Sequence, residues 1–201
     1  VKPGFWYRIS FFEEHNLEVP TTWEEFTALL ETISGITGIE APIASGDGVG
    51  WPLSDVTEHF ILTFGGTELF EGLIDGTISW TSDEVKAIFR DKLVPLLEAG
   101  YFSEPKDWTL ILEDWWEGKH ALYFMGSWIT GMVDDPTDLG VFSLPGAEAF
   151  VFCPDFMFIP KYTEHPDEAK ELVKFLSGAE GQTIQVGQGG HIATNLGVSL
   201  D

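Results

Sequence analysis

The chain has 201 residues, of which 44% are hydrophobic and 14% aromatic, so it can bury a substantial core and is not an intrinsically disordered protein. Its 33 acidic residues against 10 basic ones give a formal net charge of -23. Such a charge repels phosphate backbones and anionic membrane surfaces, which makes nucleic acid a poor partner.

The beginning of the chain alternates strand and helix patterns. We predict a strand over residues 5–9 and a short helical turn over 10–15. Thr22 and Glu25 then have the spacing of a capping box, and apolar residues follow at helical intervals. This pattern predicts an amphipathic helix that stops near Gly35.

A glycine-rich stretch at 45–50 interrupts the next part of the chain. Its composition is incompatible with regular secondary structure, so we predict a loop and expect Trp51 to lie in a loop position. Ser54 or Asp55 is expected to cap the following helix, which should end at the Gly65-Gly66 pair.

The middle of the chain contains two further helices and a buried strand. Thr81 and Glu84 repeat the capping-box spacing, and Pro95 predicts a kink because proline has no N–H to donate. A helix that begins near Trp108 is followed by an apolar run at 121–125, which predicts a buried strand.

The last third of the sequence predicts two strands and a helix pair. The strands are expected over 139–144 and 150–159, and the helix from Pro166 to Gly178. This helix should turn four apolar residues inward, which are Ala169, Leu172, Val173 and Leu176. The alternation of helices and short strands predicts an α/β fold with a mostly parallel sheet, in which ligands sit beyond the carboxyl ends of the strands.

The compartment is not given by cysteine content, because Cys153 is the only cysteine and no intrachain disulfide can form. No apolar run reaches the roughly 18 to 20 residues that a membrane span requires. Because the sequence starts at Val1 and shows no leader, we expect a processed chain or a fragment.

Aromatic side chains near loops and strand ends are the first candidates for ligand contact, because an indole can cover the C–H face of a sugar ring. The alternative for each is core packing. Trp115 and Trp116 are adjacent on a helix and point about 100° apart, so we expect one in the core and the other outward. The candidates for stacking are Trp51, Trp80, Trp115, Trp116 and Trp128, and of the adjacent pair we choose Trp116 as the ligand contact.

Polar side chains near these aromatics could accept or donate hydrogen bonds to sugar hydroxyls. Asp55 could do so, although it is also a candidate helix cap. Asp155 falls inside a predicted apolar strand, where a carboxylate needs a partner. Ser127 follows the buried strand and is a weaker candidate.

Catalysis is the alternative to ligand binding. Glu113, Asp114 and Glu117 could form the carboxylate pair of a glycoside hydrolase, but so acidic a helix is more typical of a solvated face. Ser127 lacks the Gly-x-Ser-x-Gly elbow of a nucleophile, and the histidines lack the spacing of a zinc site. An acidic turn near Asp134 does not have the order of a calcium loop. We therefore predict no catalytic residue, no metal and no cofactor.

The order of several motifs resembles the extracellular solute-binding proteins of ABC sugar importers, of the maltose and oligosaccharide-binding type known as family 1. The similarity covers nearly the whole chain, although relatives of this kind are about twice as long. The motifs are Trp6-Tyr7, Pro20-Thr21-Thr22-Trp23-Glu24-Glu25-Phe26, Gly118-Lys119-His120-Ala121-Leu122-Tyr123-Phe124-Met125-Gly126-Ser127-Trp128, His165-Pro166-Asp167-Glu168-Ala169 and Gly189-Gly190-His191-Ile192.

The resemblance implies a lobe of the type II periplasmic-binding-protein fold in an incomplete chain. Residues 1–153 would form the second, C-terminal-type lobe, and residues 154–201 a crossover segment with a helix pair that belongs to the other lobe. It also implies that the Gly189-Gly190 turn faces the ligand cleft and that His191 follows this turn, which makes Gly190 and His191 candidate ligand contacts.

The predicted function is to capture a sugar or oligosaccharide between two lobes for import, without chemistry. The expected partners are a small carbohydrate and the membrane permease of an ABC transporter. The expected location is extracellular or periplasmic, with membrane attachment only through the permease or a lost anchor. A glycoside hydrolase or other carbohydrate-active enzyme is the alternative, and a plain interaction domain is a third.

Overall fold

The computed structural model describes residues 3–149, 151–152 and 154–199. The chain forms two compact units. The described part of the larger unit covers residues 3–125, 137–149 and 151. The described part of the smaller unit covers residues 126–136, 152 and 154–199.

The larger unit is built on a four-stranded sheet in the order β2-β3-β1-β4. The strands are β1 (Gly4–Arg8), β2 (Ile43–Ala44), β3 (Leu122–Met125) and β4 (Leu139–Phe142). β1 runs antiparallel to both of its neighbours, β3 and β4, and only β2 and β3 are parallel. The predicted α/β class is confirmed, but the expectation of a mostly parallel sheet is wrong. Alternating elements give the order along the chain, and they do not specify which strands pair.

Six helices accompany this sheet among the described residues of the larger unit. They are α1 (Ile9–Glu14), α2 (Trp23–Ser34), α3 (Trp51–Asp75), α4 (Asp83–Ile88), α5 (Val94–Glu98) and α6 (Trp108–Trp116). Their apolar faces and the sheet enclose an aromatic core around the fully buried Phe5. The Phe5 ring centroid lies 5.0 Å from that of Phe26, 4.9 Å from Phe124 and 5.5 Å from Phe142.

The start of α2 confirms the predicted capping box. The backbone N–H of Glu25 donates to Thr22 Oγ1 at 3.1 Å, and the N–H of Thr22 donates to Glu25 Oε2 at 3.2 Å. Each partner therefore satisfies an N–H group that the first helical turn leaves without a carbonyl.

The starts of α3 and α4 differ from the sequence-based expectation. α3 begins at Trp51, so the caps expected at Ser54 and Asp55 and the loop position expected for Trp51 are wrong. Pro52 explains the earlier start, because proline is preorganised for the first helical turn. At α4 the cap is Ser82, whose Oγ accepts from Val85 N at 3.4 Å, one residue after the expected one.

One helix distortion is present as predicted, and another differs from the prediction. Gly66 has φ 76° and ψ 179°, which breaks the helical path of α3 at the Gly65-Gly66 pair, but the helix that was expected to end there continues to Asp75. A π-helical turn at Phe89–Leu93 precedes Pro95, and there the N–H of Val94 donates to the carbonyl of Phe89. The wider turn adapts the chain to a proline that has no N–H for the helical ladder.

The smaller unit contains a 3-10 turn at Ser127–Gly131 and the helices α7 (Pro166–Ser177) and α8 (Ala179–Gly189). The strand predicted over 150–159 is wrong for residues 151–152 and 154–159, which form no strand, while residues 150 and 153 lie outside the described part. The run is apolar, but no neighbouring strand pairs with it, and Pro154 has no N–H to donate to a ladder.

α7 has its predicted boundaries, since it begins at Pro166 and Gly178 follows its end. Its predicted inward face is wrong, because no residue of α7 is buried and Leu172 is 57% exposed. The apolar spacing of this helix is therefore real, but its own unit covers that face only in part, since Ala169, Val173 and Leu176 are half-buried. Across both units, no helix in the described residues is long and apolar enough to cross a membrane.

Candidate functional site

The smaller unit contains a cavity of about 300 Å³. Its walls come from the start of the 3-10 turn, from residues 154–157, from the end of α7, from the middle of α8 and from the loop after α8. The lining residues are Ser127, Pro154, Asp155, Met157, Leu176, Gln182, Gln185, Val186, His191, Ile192, Ala193 and Thr194. A cavity of this volume lies at the lower end of the range for small-molecule sites.

Gln182 fixes the loop that follows α8. Its Oε1 accepts hydrogen bonds from the backbone N–H of Thr194 at 2.9 Å and of Asn195 at 2.8 Å. Its Nε2 donates to Thr194 Oγ1 at 3.0 Å. The loop is also tied to α7, because Asn195 Nδ2 donates to the carbonyl of Ser177 at 3.1 Å. The wall formed by this loop is therefore held by side-chain bonds from both helices.

The 3-10 turn and the end of α8, which lie next to the lining residues Ser127 and His191, approach each other closely. Gly190 follows α8 with φ 64°, a left-handed conformation that glycine adopts without strain. A Cβ at Gly190 would lie 2.7 Å from the backbone nitrogen of Gly131, and a Cβ at Gly131 would lie 2.6 Å from the carbonyl carbon of Gly189. Any larger residue at these positions would push the turn and the helix apart.

The cavity combines hydrogen-bonding and apolar groups. Ser127 is 8% exposed, whereas Asp155 and His191 are exposed. Gln185 Nε2 donates to the carbonyl of Leu176 at 3.1 Å. The amide oxygen of Gln185 can accept a hydrogen bond. Six lining residues are apolar, and no phenylalanine, tyrosine, tryptophan, lysine or arginine is among the described residues that line the cavity.

The described residues contain no group of three or more histidine, cysteine, aspartate or glutamate side chains arranged to hold a metal ion. The polar and apolar groups that line the cavity of the smaller unit suit an uncharged polar molecule, held by hydrogen bonds and apolar contact.

Comparison with known proteins identifies the family. The sequence model of the bacterial extracellular solute-binding proteins matches residues 1–183. The chain belongs to this family. In agreement, it is 62% identical over 201 residues to an uncharacterised ABC transporter extracellular-binding protein of Pyrococcus horikoshii, covering all of this chain and 48% of that protein.

Solved structures share the fold of this solute-binding protein. A chitin oligosaccharide binding protein matches with a TM-score of 0.80 at 23% identity, over all of this chain and 53% of the other. A maltose-bound binding protein of T. maritima matches with a TM-score of 0.74 at 19% identity, over 99% of this chain and 54% of the other. The chain thus spans about half the length of the proteins it matches.

The family also bears on the hydrolase alternative, because its members are binding proteins of transporters and not enzymes, which leaves that alternative without support. Two of the carboxylates that suggested it, Asp114 and Glu117, form ion pairs with lysines in the structure. Asp114 accepts hydrogen bonds from Lys106 and Lys119, which lower the pKa of its carboxyl group. A carboxylate held in its ionised form is a poor general acid.

Five of the nine predicted site residues lie in the smaller unit of this solute-binding protein. Ser127, Asp155 and His191 line the same cavity. Asp155 does so from an exposed, irregular segment, so the reason given for its need of a partner, a position inside an apolar strand, is wrong. Trp128 is half-buried beside Ser127, and Gly190 forms the left-handed residue after α8. Their contact with ligand stays a prediction.

Trp51 and Asp55 lie one turn apart at the start of α3 in the larger unit. The Trp51 ring is 38% exposed and packs edge-on against Trp108, with 5.9 Å between the ring centroids. Burial, and then the negative charge of Glu58, raises the pKa of the Asp55 carboxyl to about 6. The pair offers an aromatic face and a carboxyl group on one side of a helix.

Trp80 and Trp116 are placed less favourably for ligand contact. Trp80 is 54% exposed in the turn before α4. Trp116 is the last residue of α6, and the guanidinium carbon of Arg8 lies 5.9 Å from its ring centroid, a cation–π arrangement. The expected division of the neighbouring indoles is confirmed, because Trp115 is buried in the core and Trp116 is not.

The sequence interpretation missed the residues of α8 that face the cavity. Gln182, Gln185 and Val186 have i, i+3 and i+4 spacing, which places them on one face of a helix. Two amide side chains on one helix face next to a Gly-Gly pair could have been used to predict a binding surface on this helix. The role of Gln182 in fixing Thr194 was not readable, because it joins residues twelve apart through a loop.

Proposed function

We propose that this chain forms part of a sugar-binding component of an ABC importer, which captures a sugar or oligosaccharide and passes it to a membrane permease. The observation that carries this proposal is the cavity, which gathers Ser127, Asp155 and His191 from three separate segments. Hydroxyl, carboxylate and imidazole groups are suitable partners for sugar hydroxyls. The chitin-oligosaccharide and maltose-binding neighbours support a carbohydrate as the ligand class.

In the proposed cycle the protein acts outside the cell membrane, in the extracellular or periplasmic space, either free or anchored to the membrane. We also propose that residues 154–201 belong to a different lobe from residues 1–153 in the longer relatives. The supporting observation is that α7 has apolar spacing but no buried residue. Trp51, Asp55, Trp80 and Trp116 remain proposed ligand contacts of the larger unit.

A titration tests the proposal. The chain is mixed with maltose, cellobiose and N,N′-diacetylchitobiose while tryptophan emission and ligand NMR signals are recorded, because ligand NMR detects weak binding. We expect at least one sugar to bind and all of them to be recovered unchanged. Absence of binding to every sugar would refute the proposal, and steady release of reducing ends would favour an enzyme.

A variant of Trp128 tests its predicted role in the same titration. Trp128→Ala should weaken sugar binding and leave the free energy of unfolding nearly unchanged. A loss of stability of about 3 kcal/mol or more is expected only for an emptied core position. That result would make Trp128 a structural residue and remove it from the proposed site.

A further inference from the structure

The apolar part of the cavity in the smaller unit is aliphatic. Leu176 and Val186 come from the facing sides of α7 and α8, and Met157 and Ile192 come from the segments beside them. Sugar rings are usually recognised by an aromatic face that covers their C–H groups. The described lining of this cavity contains no phenylalanine, tyrosine or tryptophan, and the imidazole of His191 belongs to an exposed residue, so the apolar contacts suit a smaller group, such as a methyl.

Polar groups surround these aliphatic side chains. The hydroxyl group of Ser127 can donate to a carbonyl oxygen, and the Gln185 amide oxygen can accept from an N–H, because Gln185 Nε2 already donates to Leu176 O. Asp155 supplies a second acceptor. A methyl group, a carbonyl and an N–H together make up an acetamido group.

The charge of the cavity argues in the same direction. Its described lining contains Asp155, the titratable imidazole of His191 and no lysine or arginine, so an anionic substituent would lack a permanently charged counter-ion there. A neutral substituent avoids that cost.

We propose that this cavity gives the protein a preference for N-acetylated amino sugars over the same sugars without the acetamido group. This inference rests on the proposed sugar-binding function and specifies the ligand class. The aliphatic walls contact the acetyl methyl group, Ser127 donates to the acetyl oxygen, and Gln185 or Asp155 accepts from the amide N–H.

The test compares three disaccharides that share one β-1,4-linked glucose skeleton and differ only at carbon 2. These are N,N′-diacetylchitobiose, its deacetylated diamine and cellobiose. Affinities for the chain are measured by ligand NMR in high salt, which screens the general attraction of a protein with net charge -23 for a diamine. We expect the acetylated sugar to bind about tenfold more tightly than cellobiose, from one buried methyl group and one net hydrogen bond.

The outcomes separate this inference from the function on which it rests. Equal binding of the acetylated sugar and cellobiose overturns the inference and leaves sugar binding intact. Tighter binding of the diamine also overturns it, because the Asp155 charge would then dominate. Absence of binding to all three disaccharides overturns both proposals.

A pair of matched variants places the preference in the cavity. Val186→Thr keeps the shape of the side chain and replaces a methyl by a hydroxyl, so it should reduce the preference for the acetylated sugar about threefold or more. Val173→Thr makes the same change in α7 at a residue that does not line the cavity. If both variants alter the preference equally, the acetyl group binds elsewhere and the inference is wrong.

Discussion

The two compact units differ in where their apolar side chains lie. In the larger unit, aromatic residues of β1, β3, β4 and α2 surround one another, and Phe5 has no exposed surface. In the smaller unit, α7 has no buried residue, and Phe158 is 84% exposed in the segment before it. Large exposed apolar surfaces on a soluble protein mark places where other parts of a protein bind.

Helical periodicity in a sequence therefore indicates which face of a helix is apolar. It does not indicate which part of the protein packs against that face. Both α2 and α7 have clear apolar spacing. α2 buries its apolar residues against the sheet of its own unit, whereas the described residues of the smaller unit include no sheet. Stability should therefore be concentrated in the larger unit.

The largest expected effect comes from the same substitution made in each region. Phe5→Ala should lower the free energy of unfolding by about 3–5 kcal/mol, because it empties a closed aromatic core. Phe158→Ala should change it by less than about 0.5 kcal/mol, because the ring is mostly in solvent. Urea unfolding followed by circular dichroism measures both. A large loss for Phe158→Ala would show that its ring is covered in solution.

An intermediate effect on stability should come from the replacement of Asp55. Burial of its ionised carboxyl group at neutral pH raises its pKa and destabilises the folded state. Its carboxyl has a pKa of about 6 in the folded chain against an ordinary value of 3.8. The folded state therefore holds this proton more tightly, and the contribution of Asp55 to stability falls as the pH rises from about 4 through 6. Asp55→Asn should stabilise the protein by roughly 1–2 kcal/mol at pH 7.

The pH dependence is the control for this prediction. The gain from Asp55→Asn should disappear near pH 4, where the carboxyl is protonated in the folded state. Glu31→Gln, at an exposed position of α2, should produce no comparable gain at either pH. A gain that is independent of pH would show that burial of the Asp55 charge is not its cause.

The smallest effects should come from the helix caps, and they should have opposite signs in the two units. Thr22→Ala removes the capping hydrogen bond of α2 and should cost about 1 kcal/mol of global stability. His165 precedes α7 without a side-chain cap, so His165→Asp should slow amide exchange within α7. Unchanged exchange in α7 after this substitution would contradict the prediction and show that its first turn gains no new bond.

Features encoded by neighbouring residues were predicted well from the sequence. The capping box of Thr22 and Glu25 and the distortion before Pro95 each depend on a few consecutive residues. The interruption at Gly66 is also local, although the helix that was expected to end there continues to Asp75. The chemistry of those residues acts on the local backbone alone. For the same reason β1 and β3 were placed almost correctly.

Features that depend on distant partners were not predicted. β1 and β3 pair antiparallel, and their relative direction depends on the path of the long connection between them. The sequence of that connection does not indicate the direction. The apolar run around Phe156 has the composition of a strand, but no strand of the described residues pairs with it. In the cavity, Ser127, Asp155 and His191 were named one by one, but only the folded chain shows that they line the same space.

The bonds of Gln182 to the loop after α8 have a consequence for the thermodynamics of ligand binding. Three hydrogen bonds fix Thr194 and Asn195 before a ligand arrives, so the conformational entropy of this loop is lost during folding and not during association. A ligand that enters the cavity meets a wall that is already ordered. Encounter should therefore be fast, and differences in affinity between related ligands should appear in their dissociation rates.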